Sequence, residues 1–209
     1  MKYIKYIKYI LLIIITLVSL VFIVKDNKVN QPNKLMIIVH PEDGLIWGGN
    51  ELSKGNYLVV CVTCNKNNKD FIRIMNKMNN QYVLLSYDED TEFIEENNIL
   101  NRDLEYYINK YDWNKIITHN SEGEYGSIQH KIVSNKVSNI VKDKSKLFYF
   151  NKYYVESEFK QEKIKYYRLT DNELELKLKY ISMLDDIEYV SIFKHIIPYE
   201  GFVRGDNNE

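Results

Sequence analysis

Leu35-Met36-Ile37-Ile38-Val39 contains no polar position, and His40-Pro41-Glu42-Asp43 follows it without a gap. A strand with one solvated face alternates apolar and polar residues, whereas a strand covered on both faces does not. The run therefore predicts a central strand of a parallel sheet held between two helical layers. It also puts an imidazole and two carboxylates at the strand's C-terminal end, where open α/β sheets gather their chemistry. Tyr57 to Cys64 predicts a second strand. A helix over Leu45–Lys54 lies between the two and ends at Gly55, as a C-cap would end it. Phe71, Ile74, Met75 and Met78 recur at helical spacing. Strands are expected at Gln81–Ser86, Lys115–Thr118 and Lys146–Phe150. Helices are expected at Leu100–Trp113, Ser127–Val141 and Asn172–Asp185. In the Ser127–Val141 helix, Ile128, Ile132, Val133, Val137 and Ile140 are expected on one side. The alternation predicts an α/β fold, a Rossmann-like three-layer sandwich with a mostly parallel sheet. Right-handed crossovers would bring His40, the Ser86-Tyr87-Asp88 segment and His119 to one edge of it.

The N-terminus reads differently. Ile10 to Val24 is apolar apart from Thr16 and Ser19, and the preceding Lys2–Ile10 repeats a Lys-Tyr-Ile triplet. Together they approach the ~20 residues that cross a bilayer. No small-x-small cleavage site follows Val24, so an uncleaved transmembrane helix is favoured over a signal peptide. The expected organisation is an anchor over residues 1–24, a polar linker over 25–34 and one catalytic domain over 35–209. The protein is expected to be single-pass, touching the membrane through residues 4–24. Lysines flank the span on both sides, but Asp26 partly offsets those after it, which leans toward a cytoplasmic N-terminus, while the lack of any N-x-Ser/Thr sequon leans toward a cytoplasmic domain. These two observations point to opposite sides of the membrane, which leaves the orientation open.

His40 and Asp43, spaced i, i+3 on a turn, can hold one metal ion and leave Glu42 between them as a base. A second polar stretch, Ser121-Glu122-Gly123-Glu124-Tyr125-Gly126-Ser127-Ile128-Gln129-His130, follows the Lys115–Thr118 strand and enters the next helix. His130 falls in that helix's first turn and could complete a His/Asp/His set. Three protein ligands and one open position form the pattern of a catalytic zinc site. Glu42 would then take a proton and later return it.

On these residues the chain resembles the PIG-L/LmbE-like zinc-dependent de-N-acetylases, over Leu35–His130 and more weakly to Gly201. The family's His-Pro-Asp-Asp-Glu type motif is matched by His40-Pro41-Glu42-Asp43-Gly44. Its Tyr-Gly-His-x-x-His motif is matched by Tyr125-Gly126-Ser127-Ile128-Gln129-His130. The resemblance implies that His40, Asp43 and His130 bind Zn2+, that Glu42 is the general base and that Tyr125 helps stabilise the oxyanion. The implied substrate is an N-acetylglucosamine-type sugar or glycolipid, free or phosphatidylinositol-linked. Arg73 falls where the family has an Arg on its second helix, and Arg73, Asp88 and His119 are the expected substrate contacts. His119 could equally stand behind the ligands or lie in a solvated loop. The chain departs from the pattern at Ser127, which stands at a catalytic position where the family has His, and at Gly44, which replaces an acid. These departures motivate an alternative: a catalytically weakened or inactive metal- and sugar-binding relative.

The remaining features exclude more than they assign. A formal net charge of −1 provides no field for nucleic acid, and no nucleic-acid partner is expected. Cys61 and Cys64 make a C-x-x-C spacing, but inside an apolar run. Two buried structural thiols on opposite faces of a strand are expected there, not a redox pair. His195 and the aromatic stretch Lys146–Tyr167 are read as structural.

Overall fold

The computed structural model describes residues 31–90, 98–162, 166–185 and 190–206. The expected membrane segment, residues 4–24, lies outside the described residues. Among those described, no helix is long and apolar enough to cross a membrane.

The chain runs β1 (Lys34–Ile38), α1 (Asp43–Ser53), β2 (Tyr57–Cys61), α2 (Lys69–Lys77), β3 (Gln81–Leu84), α3 (Asn98–Ile108), β4 (Lys115–Thr118), α4 (Ile128–Ile140) and β5 (Leu147–Phe150). It then continues through α5 (Glu156–Glu162), β6 (Tyr167–Arg168), α6 (Asp171–Ile181), β7 (Tyr199–Glu200) and β8 (Phe202–Arg204). One six-stranded sheet has the order β3-β2-β1-β4-β5-β8. Its first five strands are parallel and β8 is an antiparallel edge; β6 and β7 form a separate antiparallel pair. The fold is α/β with a mostly parallel central sheet.

Both faces of β1 are covered, as its polar-free run requires. Met36 and Ile38 enter a core that also contains Leu45, Leu52, Phe71, Ile74 and Ile181, from α1, α2 and α6. Leu35, Ile37 and Val39 enter a second core with Leu100, Leu104, Val133 and Val137, from α3 and α4. Burying each such side chain contributes about 1.5–3 kcal/mol.

Two local features depart from the sequence reading. β2 ends at Cys61 and the chain turns, so strand alternation does not extend to residue 64, and both thiols fall in the same core. They are free and buried. The buried stripe of α4 is His130, Val133, Ser134 and Val137, while Ile128 lies 57% exposed. His130 thus heads the helix's inward face, at the spacing expected of a core position.

Helix α1 is kinked at Gly48 (φ −146°, ψ 28°). Side chains at the kink are constrained as well: a Cβ on Gly49 would lie 3.0 Å from Lys177 Cγ. The Glu200 carboxylate receives the backbone N–H groups of Asn50 and Glu51 at 2.7 and 3.2 Å, capping the second half of the helix. The buried Lys177 ammonium lies 3.0 Å from the same carboxylate.

Candidate metal centre

The parallel order changes direction between β1 and β4, and the chemistry-bearing residues sit just beyond those two strand ends. This is the topological switch point of an open α/β sheet. His40 and Asp43 come from the β1–α1 turn. There the backbone N–H of His40 donates to Asp43 Oδ2 at 2.7 Å, folding the turn around the carboxylate. His130 comes from the first turn of α4.

Three donor atoms converge. Asp43 Oδ2 lies 3.4 Å from His40 Nδ1 and 3.3 Å from His130 Nε2, and the two imidazole nitrogens lie 3.3 Å apart. A tetrahedron with ligands at ~2.0–2.1 Å from its centre has edges of ~3.3–3.4 Å, so the triangle has the size of one face of a four-coordinate zinc site. The donor set, two imidazoles and one carboxylate, suits zinc chemically as well. His119, Glu124 and His130 also lie close enough together to hold an ion. The hydrogen bonds distinguish the two trios. The N–H of Val39 donates to His119 Nε2 at 3.0 Å, which leaves neither His119 nitrogen open.

Glu124 is the residue that sequence reasoning missed. Its Oε2 lies 2.9 Å from His119 Nδ1 and 2.5 Å from His130 Nδ1, and its Oε1 accepts the N–H of Asn120 at 2.9 Å. It is 1% exposed and holds φ +51° between Gly123 (φ +68°) and Gly126 (φ +100°). A left-handed non-glycine residue persists where its surroundings over-determine it. A Cβ at Gly123 would sit 2.3 Å from Ser127 O, so that turn requires glycine. The available signal was an acid between two glycines, flanked by His119 and His130.

Electrostatics follow from this packing. Burial favours the neutral form of Asp43, but the charge and hydrogen bond of His130 outweigh it and hold the carboxyl well below its usual range. Burial also opposes a charge on His130. The Asp43 and Glu124 carboxylates prevail and raise it to about 10 in the metal-free protein. His119 is lowered, first by burial and then by the neighbouring His130 charge. Glu42 is pushed up to about 7, first by burial and then by the Asp43 charge.

His40 and Glu42 open onto a cavity of about 680 Å³ that also touches Asn67, Asp70, Glu89 and Asp185. Asp43 and His130 form the buried back of the site, at 2% and 0% exposure. Tyr125 is 38% exposed; its ring stands edge-on to His130 at 5.3 Å and stacks on Trp47 at 6.4 Å.

The other sequence-based candidates lie elsewhere. Ser127 is the N-cap of α4; its hydroxyl accepts the N–H of His130 at 3.4 Å and donates to Gln129. His119 is fully buried behind the ligands, with no face for substrate. Arg73 is exposed and ties Asp70 to the Met183 carbonyl, at 2.7 and 2.9 Å, outside the cavity's lining. Asp88 is exposed and is not part of that lining either. Gly44 packs on the core: a Cβ there would meet Leu52, Ile38 and Met36 side-chain atoms at 3.0–3.5 Å.

No family model matches the chain. Three solved structures share its fold. The N,N'-diacetylchitobiose deacetylase from Pyrococcus horikoshii, complexed with an inhibitor, is 17% identical with a TM-score of 0.58, over 86% of this chain and 88% of that one. A conserved protein of Thermus thermophilus is 13% identical with a TM-score of 0.55, over 83% and 94%. A triple mutant of a deacetylase from the teicoplanin biosynthetic pathway is 11% identical with a TM-score of 0.56, over 84% and 100%. In sequence, an uncharacterized protein of Acanthamoeba polyphaga mimivirus is 32% identical over 149 residues, 61% of this chain. The match spans 66% of that protein, just under two thirds of its length.

Proposed function

We propose that the chain is a PIG-L/LmbE-like hydrolase that uses zinc to remove the acetyl group from an N-acetylglucosamine-type sugar. The observation that carries this reading is the His40/Asp43/His130 triangle, with edges of 3.3–3.4 Å, standing beside Glu42 at the mouth of a cavity. The fold shared with two deacetylases supports it.

Zinc held by these three residues would supply Lewis acidity toward the acetyl carbonyl and the attacking water. Glu42 takes a proton from that water as its oxygen bonds to the carbonyl carbon. The carboxyl then delivers the proton to the amine as the C–N bond breaks, releasing acetate and the free amino sugar. A carboxyl with a raised affinity for the proton serves both halves of that exchange, and burial pushes Glu42 up to about 7 in the metal-free protein. Tyr125, half-open beside His130, is the side chain that meets the oxyanion. The cavity receives the sugar. Residues 4–24 would hold the protein to a membrane, which suits a glycolipid form of the substrate.

Purified zinc-loaded protein should release acetate from N-acetylglucosaminyl substrates. Glu42→Gln should slow release about 10²–10⁴-fold while zinc content stays unchanged. An unchanged rate in that variant would refute the assigned mechanism. Zinc-loaded wild type that releases no acetate would favour a binding-only relative.

A further inference from the structure

We infer that His119 and Glu124 are positioning residues that fix the ring orientation and tautomer of His130, so that the end of β1 sets the metal ligand on α4. The inference rests on the metal reading above but not on the hydrolase activity.

A backbone N–H can only donate, so the Val39 amide at 3.0 Å makes His119 Nε2 an acceptor. A neutral ring with an accepting Nε2 carries its hydrogen on Nδ1. That hydrogen is donated to Glu124 Oε2 at 2.9 Å. Asp43 Oδ2 also approaches His119 Nε2, but at the longer distance of 3.5 Å and with no hydrogen to give. Glu124 therefore acts as an acceptor toward His119, and Asn120 N–H makes it an acceptor at Oε1 as well. The same Oε2 lies 2.5 Å from His130 Nδ1, which must then donate. In the neutral, metal-binding ring, Nε2 of His130 is then left to offer its lone pair to the point it shares with Asp43 and His40, at 3.3 Å from each. The two imidazoles also pack ring on ring, with centroids 3.8 Å apart. A free imidazole populates both tautomers, and a ligand held by such a carboxylate is oriented and made more basic.

In this chain the support comes from Glu124 on the β4–α4 loop. The position of Gly44, beside the ligands in sequence, faces apolar side chains instead.

The test uses the full chain and zinc alone, with affinity read by competition against a chromophoric chelator. His119→Leu removes both hydrogen bonds. His119→Gln keeps both, because its amide oxygen can accept from Val39 and its NH₂ can donate to Glu124. Glu124→Gln puts an NH₂ either against both ring N–H groups, which share Oε2, or against the Asn120 N–H at Oε1. His119→Leu and Glu124→Gln should each weaken zinc binding about 10–100-fold, and His119→Gln should stay within a few-fold of wild type. The zinc-loaded wild type should show a hydrogen-bonded Nδ1–H signal from His130 in proton–nitrogen NMR, and Glu124→Gln should shift or lose it.

The inference is overturned by equal zinc affinity in His119→Leu and wild type. It is equally overturned if His119→Gln loses as much as His119→Leu, which would make ring bulk the requirement. If the wild type binds no zinc, this inference and the metal reading fall together. If zinc affinities follow the expected order but no acetate is released, the positioning role stands and only the hydrolase reading fails.

Discussion

Helix α1 carries a buried carboxylate at each end, and the two are treated in opposite ways. Near its C-terminal end, Glu51 accepts the Tyr57 hydroxyl at 2.6 Å and the Lys54 ammonium at 2.8 Å, with Lys115 at 3.4 Å and Lys34 at 3.9 Å. Burial disfavours its charge, yet the hydrogen bonds from Lys54 and Tyr57 bring it down to about 2. Past the kink, the Glu200 carboxylate beside it is likewise completed by two backbone N–H groups and Lys177. At the N-terminal end, Asp43 is met by histidines. A lysine brings only hydrogens, so the carboxylates of the lysine end are satisfied by the protein alone. An imidazole holds the carboxylate through a proton that a metal ion can replace, the nitrogen lone pair then facing the ion. The lysine end holds the fold together, and the histidine end can exchange a proton for an ion.

The largest effect that separates the two ends should come from Lys177→Ala. It strands a buried carboxylate and should cost about 3–5 kcal/mol, read by denaturant unfolding. Zinc affinity in the protein that remains folded should not change. A loss of zinc with the same substitution would show the two ends to be coupled through the helix.

The next largest effect is a pH trend in the metal-free protein. His130 stands at about 10 when folded, above the usual 6.5 of an unfolded histidine. The stability it contributes is therefore fully present below about pH 6.5 and is lost as pH rises toward 10. Asp43 and Glu124, both lowered, act in the other direction, and their contribution is lost on acidification. Thermal melts should show the metal-free protein weakening by a few kcal/mol between pH 6.5 and 10. Zinc must displace the Nε2 proton, so its affinity should rise over the same interval by about tenfold per pH unit. Parallel rather than opposed trends would remove His130 from the ligand set. The smallest effect belongs to Ser127→Ala, which removes the α4 cap. It should cost about 1 kcal/mol and leave zinc binding intact; loss of zinc would give Ser127 more than a capping role.

Much of the frame could be read from the sequence because Leu35–Val39 and Leu58–Val62 are runs without a polar position, and such runs leave few alternatives to a covered parallel strand. The β1 end and its His40–Asp43 turn followed directly, and β4 was bounded correctly at Lys115–Thr118. The strands β6, β7 and β8 were missed because two or three residues cannot display a period. Cys64 and Ile128 were misjudged where a strand or helical face was extrapolated past a turn. Glu124 escaped because its role depends on two histidines, one from each side of a left-handed turn, meeting on one oxygen. Spacing along the chain does not reveal that meeting.

Zinc K-edge X-ray absorption of the loaded protein tests the central claim most directly. The account predicts one zinc per chain with only nitrogen and oxygen neighbours at about 2.0–2.2 Å, including two imidazoles, one of which disappears in His130→Ala. A sulfur neighbour at about 2.3 Å would move the metal to Cys61 and Cys64, and a spectrum unchanged in His130→Ala would take it away from this site altogether.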